Sequence, residues 1–164
     1  MLRLQLNRAS APILSILKKF KRALFAVISR TCLAIYSRIP IFGYLRAAVA
    51  LIRDGDQVLI IERSDGRGLS FPGGLAWPWE DLAQAVNREV LEETGLHVGK
   101  SSFLFEYRFE ARTHADVPCI IAVFEAEVSG DVKESWEGAP RWLPLKEIGP
   151  SLLPSQKEII DRIS

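Results

Sequence analysis

One stretch of the sequence decides the fold, and it reads GLAWPWEDLAQAVNREVLEETGL at residues 74–96. Its second half places three glutamates, Glu89, Glu92 and Glu93, within five residues. Like charges three or four residues apart on a helix repel each other by roughly 0.2–0.5 kcal/mol for each pair. A positive group should therefore offset this repulsion.

The same stretch predicts one amphipathic helix. The helix should begin near Glu80 or Asp81 and end at Gly95, because glycine readily takes the left-handed conformation that follows many helices. With about 100° of rotation per residue, the three carboxylates share an arc of about 100°. Val86 and Val90 lie beside them and can face a sheet. The carboxylates should therefore lie at the edge of the domain interior.

Three oxygen-rich side chains that converge on one place suit a hard cation such as Mg²⁺ or Mn²⁺. The backbone of Gly73 and Gly74 has no Cβ and can approach the metal or its ligand closely. Arg88 can pair with a neighbouring carboxylate and hold its rotamer. A solvated acidic face is the alternative interpretation. The Gly-Gly loop and the adjacent arginine favour a divalent-cation site, with phosphate chemistry as its natural use.

These residues resemble the Nudix box, whose pattern is Gly, five residues, Glu, seven residues, and then Arg-Glu-apolar-any-Glu-Glu-any-Gly-apolar. Every defined position is filled without an insertion, at Gly74, Glu80, Arg88, Glu89, Val90, Glu92, Glu93, Gly95 and Leu96. The preceding Phe71-Pro72-Gly73 also looks like the usual lead-in to the box. The resemblance covers about residues 46–163, and residues 1–45 lie outside it.

Resemblance to Nudix hydrolases implies an α/β fold, an α/β/α sandwich with a mixed β-sheet over residues 46–164. It also implies Mg²⁺-dependent hydrolysis of a diphosphate linked to another group, with Mn²⁺ as a substitute ion. The implied metal ligands are Glu89, Glu92, Glu93 and the Gly74 carbonyl. Arg88 would orient these ligands, Glu80 would support the loop and Gly95 would end the helix.

A general base is expected from the resemblance on a late loop, shortly before a Trp-apolar-Pro-apolar run. Glu137 is the best match and Glu134 the second choice, and a plain loop glutamate is the alternative interpretation of either. Arg63 lies on a predicted strand near the glycine loop and is a candidate for binding phosphate oxygens together with Gly73 and Gly74. A simple surface arginine is the alternative for Arg63.

Apolar runs on both sides of the box predict strands. Four are expected, at residues 46–52, 57–63, 103–110 and 119–128. The first two should form a hairpin across the polar residues 53–56. A last helix should begin near Ser155, where Glu158 has capping-box spacing. Trp77 and Trp79 lie inside the box loop and should pack against the sheet, with stacking on a nucleobase as the alternative.

The N-terminal segment differs in composition from the rest of the chain. Residues 1–53 contain ten Lys or Arg residues and no Asp or Glu, whereas residues 54–164 contain twenty acidic and eleven basic residues. Residues 13–38 predict a basic amphipathic helix, and Arg30 makes it unfit as a membrane span of about 20 mostly apolar residues. It could pack on the rest of the protein, lie on an anionic membrane surface or act as a transit peptide.

The overall composition fits one globular domain, because the 164 residues are 48% hydrophobic and 25% charged. Cys32 and Cys119 lie far apart in apolar surroundings and predict reduced, buried thiols instead of a disulfide framework or a thiolate metal site. A cytoplasmic location fits, with peripheral membrane attachment and an organelle as alternatives. Specific nucleic-acid binding is not expected, and the sequence leaves the oligomeric state open.

Substrate specificity in this family lies outside the box. Markers of the coenzyme A, ADP-ribose, dinucleoside polyphosphate and NADH groups are absent or displaced here. A nucleoside triphosphate or a similar nucleoside diphosphate derivative is therefore favoured. The basic, apolar N-terminus suggests a membrane-borne isoprenoid or lipid-linked diphosphate as the alternative. A non-catalytic nucleotide-binding or regulatory module is a third possibility, which the intact box disfavours.

Overall fold

The strand β1 is the element around which the rest of the chain is arranged. The computed structural model describes residues 43–110 and 117–163. Its strands are β1 Leu45–Leu51, β2 Arg53–Asp54, β3 Gln57–Arg63, β4 Leu69–Ser70, β5 Gly73–Leu75, β6 His97–Phe109, β7 Cys119–Ser129 and β8 Gly138–Pro144. The helices are α1 Leu82–Thr94, α2 Leu145–Ile148 and α3 Lys157–Ile163, with 3₁₀ turns at Gly149–Ser151 and Pro154–Gln156. The predicted basic helix at residues 13–38 and Cys32 lie outside the described residues.

The strands form two sheets. In the first sheet the order is β5-β1-β7-β6, and β1 runs parallel to β7 but antiparallel to β5. In the second sheet β3 pairs with β2, β4 and β8, always antiparallel. The first sheet confirms the prediction of a mixed sheet.

Side chains on both faces of β1 are buried. Ala47, Val49 and Leu51 lie in one hydrophobic core together with Ile148 of α2 and Ile159 of α3. The alternate residues of β1 lie in a second core, which α1 fills. Successive side chains of a strand point to opposite faces, so a strand covered on both faces needs a continuous apolar run. Helices thus cover both faces of the sheet, which is the α/β/α sandwich that the resemblance implies. Within the described ranges, no helix is long and apolar enough to span a membrane.

The central helix α1 begins and ends where its sequence predicts. Asp81 is the N-cap: its side chain accepts a hydrogen bond from Gln84 N–H at 2.8 Å, and the Gln84 side chain accepts one from Asp81 N–H at 3.2 Å. This reciprocal pair is a capping box built from Asp and Gln. Gly95 ends the helix in the left-handed conformation, with φ at 74°. Val86 and Val90 are fully buried against the sheet, as predicted.

The predicted hairpin is correct at its turn but wrong along its length. β2 pairs with the start of β3 across Gly55 and Asp56. However, β1 belongs to the mixed sheet and β3 to the antiparallel one. The long partner of β1 is β7, which comes after the whole box in the sequence. A pairing between such distant segments leaves no local pattern from which it could be predicted.

Two predicted boundaries are also corrected. β6 starts at His97 instead of Phe103; its first residues are mostly polar and exposed, and they are held as a strand by pairing with β7. α3 starts at Lys157, because Ser155 belongs to the preceding 3₁₀ turn. The Ser155 carbonyl accepts a hydrogen bond from the Tyr107 hydroxyl at 2.7 Å. Ser155 therefore links the last turn to the sheet and does not cap the helix.

Cys119 is buried and free, as predicted. Burial raises the pKa of its thiol to about 11. The thiolate is the nucleophilic form of cysteine. The position of Cys119 therefore indicates an inert core residue.

Candidate active site

The Gly73–Gly74 backbone lies against two glutamates of α1. Gly73 N–H donates a hydrogen bond to Glu93 Oε2 at 2.9 Å. A Cβ on Gly73 would collide with the Ala48 carbonyl oxygen of β1, and a Cβ on Gly74 would lie 2.5 Å from Glu89 Oε1. Only glycine at both positions lets β5 pair with β1 while its backbone approaches Glu89 and Glu93.

Arg88 is the positive group that lies among the acidic side chains. Its Nε and Nη2 donate to the two carboxylate oxygens of Glu80, each at 2.9 Å, and its Nη1 donates to Glu89 Oε1 at 2.7 Å. Nη2 also donates to the Leu75 carbonyl at 3.1 Å. Paired guanidinium–carboxylate bonds fix orientation as well as distance. Arg88 therefore holds the box loop through Glu80 and sets the rotamer of Glu89.

Glu93 and Glu89 are buried carboxyl groups, and Glu93 is only 2% exposed. Burial raises the pKa of Glu93 well above its ordinary value, and Glu137 raises it further through its charge and a side-chain hydrogen bond; the bond from Gly73 N–H acts in the opposite direction. Burial also raises the pKa of Glu89, against the hydrogen bond from Arg88. A nearby cation would favour the ionised form of both groups.

Glu137 reaches the helix carboxylates from a distant part of the sequence. It precedes β8, whose first residue Gly138 pairs with Arg63 at the end of β3. The Glu137 carbonyl accepts a hydrogen bond from Ser64 N–H at 2.8 Å, which fixes the backbone there. The structure thus brings Glu137 to Glu93. Glu134, the second choice for a base, is an exposed residue three positions earlier.

Arg63 lies at the edge of this acidic cluster but is bound to another residue. Its Nε and Nη2 donate to the Asp65 carboxylate at 3.1 Å and 2.8 Å. The hydrogen bond to Asp65 raises the pKa of Arg63, and the charges of Glu93 and Glu137 raise it further. The guanidinium is therefore within the electrostatic influence of the cluster. Binding a phosphate through these same donors would require it to leave Asp65.

Glu92 stands apart from the buried carboxylates. Its side chain is 58% exposed, and its Oε2 lies 3.4 Å from Arg88 Nη1. Within residues 43–110 and 117–163, no three His, Cys, Asp or Glu side chains already surround one point as metal ligands. Glu89, Glu93, Glu137 and the Gly74 backbone are nonetheless neighbours, and they offer only oxygen, which is the donor that Mg²⁺ prefers. The residues present therefore fit a hard divalent cation.

An open cavity of about 200 Å³ borders Gly73 and Gly74. Apolar residues of β1, β6 and β7 line it, together with polar side chains of Arg67, Ser155 and Gln156. Gln156 is buried, and its Oε1 accepts a hydrogen bond from Phe71 N–H at 2.7 Å. This cavity could not be predicted from the sequence, because separate segments of the chain contribute its lining. The nearest signal was the Phe71-Pro72 lead-in to the box.

Trp77 and Trp79 do not pack against the sheet, contrary to the prediction. They are 53% and 81% exposed, and their rings stack with centroids 5.8 Å apart and planes 7° from parallel. Trp77 N–H donates to the Glu80 carboxylate at 3.1 Å, and Glu80 N–H donates to the Trp77 carbonyl at 3.0 Å. This tight turn around Pro78 directs both rings outward.

Comparison with known proteins agrees with this architecture. A family model described as NUDIX domain matches residues 43–163. The chain belongs to the Nudix family. In Arabidopsis thaliana, "Nudix hydrolase 16, mitochondrial" is 40% identical over 60 residues, which is 37% of this chain and 33% of that protein. In Bacillus subtilis (strain 168), "Putative 8-oxo-dGTP diphosphatase YtkD" is 41% identical over 58 residues, which is 35% and 36% of the two proteins.

A solved structure extends the similarity over most of the chain. The MutT protein from Methanosarcina mazei Go1 matches with a TM-score of 0.62 at 29% identity, over 73% of this chain and 91% of that one. By contrast, the matches span about a third of the length of the curated relatives. The Nudix fold thus covers the described domain, and the Nudix box forms the loop after β5 together with α1.

Proposed function

We propose that this Nudix protein hydrolyses a diphosphate bond in a nucleoside diphosphate linked to another group, and that a nucleoside triphosphate or a similar compound is the substrate. The observation that carries the proposal is the chain of contacts in which Gly74 lies beside Glu89, Gly73 N–H binds Glu93, and Glu137 lies beside Glu93. Carboxyl groups that disfavour each other's ionisation are typical of sites that bind a cation or move a proton. We assign the activity to residues 46–164, with residues 1–45 as an extension.

Glu89, Glu92, Glu93 and the Gly74 carbonyl would hold Mg²⁺, with Mn²⁺ as a substitute. When bound, the cation would neutralise diphosphate oxygens and lower the pKa of water. Arg88 is a positioning residue in this proposal, because its bonds to Glu80 and Glu89 set the loop and the first carboxylate before any ligand arrives. The exposed position of Glu92 allows its carboxylate to contribute from the solvent side.

Glu137 is the proposed general base. Its side chain lies against Glu93, so it can accept a proton from a water molecule held near that carboxylate. As the water oxygen bonds to phosphorus, the bond from phosphorus to the bridging oxygen breaks, and that oxygen leaves with the electron pair. Arg63 would bind phosphate oxygens by exchanging its contact with Asp65, next to the backbone of Gly73 and Gly74.

The cavity beside Gly73 and Gly74 supports a nucleoside as the group attached to the diphosphate. Its mixture of apolar walls and fixed polar groups, such as Gln156, suits a planar base with a hydrogen-bonding edge. The name of the Bacillus subtilis relative adds an oxidised purine nucleoside triphosphate to the candidates. The cavity does not by itself select one base.

A substrate panel tests the proposal. The panel contains nucleoside triphosphates, 8-oxo-dGTP, ADP-ribose and prenyl diphosphates. We expect the full chain with millimolar Mg²⁺ to hydrolyse the nucleoside triphosphates. Glu137→Gln should lower kcat by about 10²–10⁴-fold, whereas Glu134→Gln, a matched change at an exposed glutamate three residues away, should leave kcat unchanged. Cleavage of prenyl diphosphates alone would make the lipid-linked alternative correct. No hydrolysis of any panel member would support the non-catalytic alternative.

A further inference from the structure

The outer side of the box loop carries an apolar surface that neither core uses. We call it the tryptophan patch, and it consists of the exposed side chains of Leu75, Trp77 and Trp79. None of these residues belongs to either hydrophobic core. Clustered large apolar side chains on a protein surface commonly mark a place where another surface binds.

The box loop holds the tryptophan patch in a fixed arrangement. The two indole rings stack on each other, and the Arg88 guanidinium carbon lies 5.7 Å from the centre of the Trp77 ring. Arg88 also binds the carbonyl of Leu75 and both carboxylate oxygens of Glu80. The two rings therefore lie on a turn that hydrogen bonds hold in place.

The first strand of the described structure, β1, pairs with the segment that leads into the tryptophan patch. Ala76 N–H donates to the Arg46 carbonyl at 2.9 Å, and Leu75 pairs with Ala47. The described residues begin at Gly43, only three positions before Arg46. Residues 1–42 are thus covalently joined to the strand that pairs with the box loop. A short tether gives an effective concentration on the order of millimolar, so a weak contact is enough for binding.

Residues 1–42 also complement the patch in charge and pattern. They contain eight Lys or Arg residues and no Asp or Glu. Exposed acidic residues border the patch: Asp81 follows Trp79 by two positions, and Glu92 Oε2 lies 3.4 Å from Arg88, which also lies over the Trp77 ring. The helix predicted from the sequence groups its apolar residues on one side, at Ile13, Ile16, Leu17, Phe20, Leu24, Val27 and Ile28. Its basic residues lie on the opposite side.

We propose that the basic amphipathic segment of residues 13–28 docks on the tryptophan patch of its own chain. Its apolar side covers the indole rings, and its flanking basic side chains lie near Asp81 and Glu92. An anionic membrane is the poorer fit, because these two carboxylates would repel it. Arg88 contacts both Trp77 and Glu89, so the patch lies next to the acidic cluster of the candidate active site.

A double-mutant cycle on the full chain tests this docking. L17E/F20E should lower the urea midpoint of unfolding in the otherwise unchanged protein. It should have no further effect in the W77A/W79A protein, because contacting groups give non-additive changes. F103A removes an exposed aromatic ring of β6 outside the patch and serves as the matched control; its effect should add to that of L17E/F20E. Additive effects with W77A/W79A would overturn the proposal.

Fluorescence quenching gives a second, independent readout. In a W136F/W142F background only Trp77 and Trp79 of the four tryptophans remain. L17E/F20E should raise their acrylamide quenching constant several-fold, because the rings become open to solvent. An unchanged constant would contradict docking. Shielding that arises only with phosphatidylserine vesicles would identify a membrane as the partner, and shielding that depends on protein concentration would identify a second copy; either result would overturn the proposal.

Discussion

Glu93 occupies a position in which folding disfavours its ionised form. Burial removes it from water, Glu137 lies against it, and Gly73 N–H supplies a hydrogen bond from the backbone. A buried charge is costly unless an opposite charge or several hydrogen bonds compensate it. Arg88 compensates Glu89 in this way. The proposed activity requires a divalent cation at this place, and that cation would compensate the charge of Glu93.

Replacing Glu93 by Gln should therefore separate stability from activity. The pKa of Glu93 is raised by folding, so its ionised form destabilises the fold at high pH, and this destabilisation fades as pH falls toward the ordinary carboxyl value of about 4.3. In EDTA at about pH 8, Glu93→Gln should raise the unfolding temperature, and the gain should shrink near about pH 5. With Mg²⁺ and substrate, kcat should fall by more than about 100-fold.

Thermal denaturation followed by circular dichroism measures the first effect, and steady-state kinetics measure the second. Glu127→Gln is the matched control, because Glu127 is an exposed residue of β7. It should change neither quantity. If Glu93→Gln lowered the unfolding temperature in EDTA at high pH, the Glu93 carboxylate would not destabilise the fold.

At the scale of elements, α1 performs two tasks at once. One side packs Ala85, Val86 and Val90 into the core, and the adjacent side carries the acidic cluster. Its register is fixed at the start by Asp81 and at the end by Gly95. A shift of one residue would rotate the carboxylates by about 100° away from the Gly73–Gly74 backbone. The caps of α1 are therefore part of the geometry of the candidate site.

Removing the N-cap should cost stability without touching the carboxylates directly. Asp81→Ala deletes the acceptor for Gln84 N–H and should lower the free energy of unfolding by about 1 kcal/mol, within a range of about 0.5–2 kcal/mol. Urea titration at equilibrium measures this change. Asp131→Ala, at an exposed position after β7, should have little effect. Equal stability of the two variants would show that the cap contributes nothing.

The elements also show how far the sequence predicts this molecule. α1 was predictable because its caps, its apolar stripe and its box residues are all local, and the carboxylates follow from helical geometry. The separation of β1 from β3 into two sheets was not, because it depends on the parallel pairing of β1 with β7. Glu137 could be chosen only by resemblance to a family, and Gln156 had no signal at all. The outward position of Trp77 depends on a turn that is held by the hydrogen bonds of Glu80 with Trp77 and Arg88.

At the scale of the whole molecule, the candidate site combines residues from distant parts of the chain. β5 supplies the glycine backbone, α1 supplies Glu89 and Glu93, and the segment before β8 supplies Glu137. Sheet register sets the last of these positions, because Gly138 pairs with Arg63. Binding of a cation should therefore stabilise the complete fold and not only the helix.

Stabilisation by Mg²⁺ should grow with pH. In EDTA the raised pKa values of Glu93 and Glu89 make the fold lose stability as pH rises through them, whereas a bound cation keeps both carboxylates ionised at no such loss. The Mg²⁺-induced rise in unfolding temperature should thus be larger at about pH 8.5 than at about pH 5. At 100 times its Kd the ion would contribute about 2.7 kcal/mol.

Differential scanning fluorimetry with Mg²⁺ or EDTA at both pH values provides the measurement. The Glu93→Gln protein is the internal control, since it should lose most of the Mg²⁺ response. A response of equal size at both pH values would mean that protons and the ion do not compete for the same carboxyl groups.

The arrangement of β1 has a consequence for how the protein is made. Both of its faces are apolar and one of its edges pairs with β7, which the ribosome synthesises only after the entire box and β6. Until then the nascent chain carries a strand with an open edge, and such an edge is a template for aggregation. A chain terminated before Cys119 would keep that edge permanently. Nascent chains of this protein should therefore depend on chaperones until β7 has been synthesised and has left the ribosome.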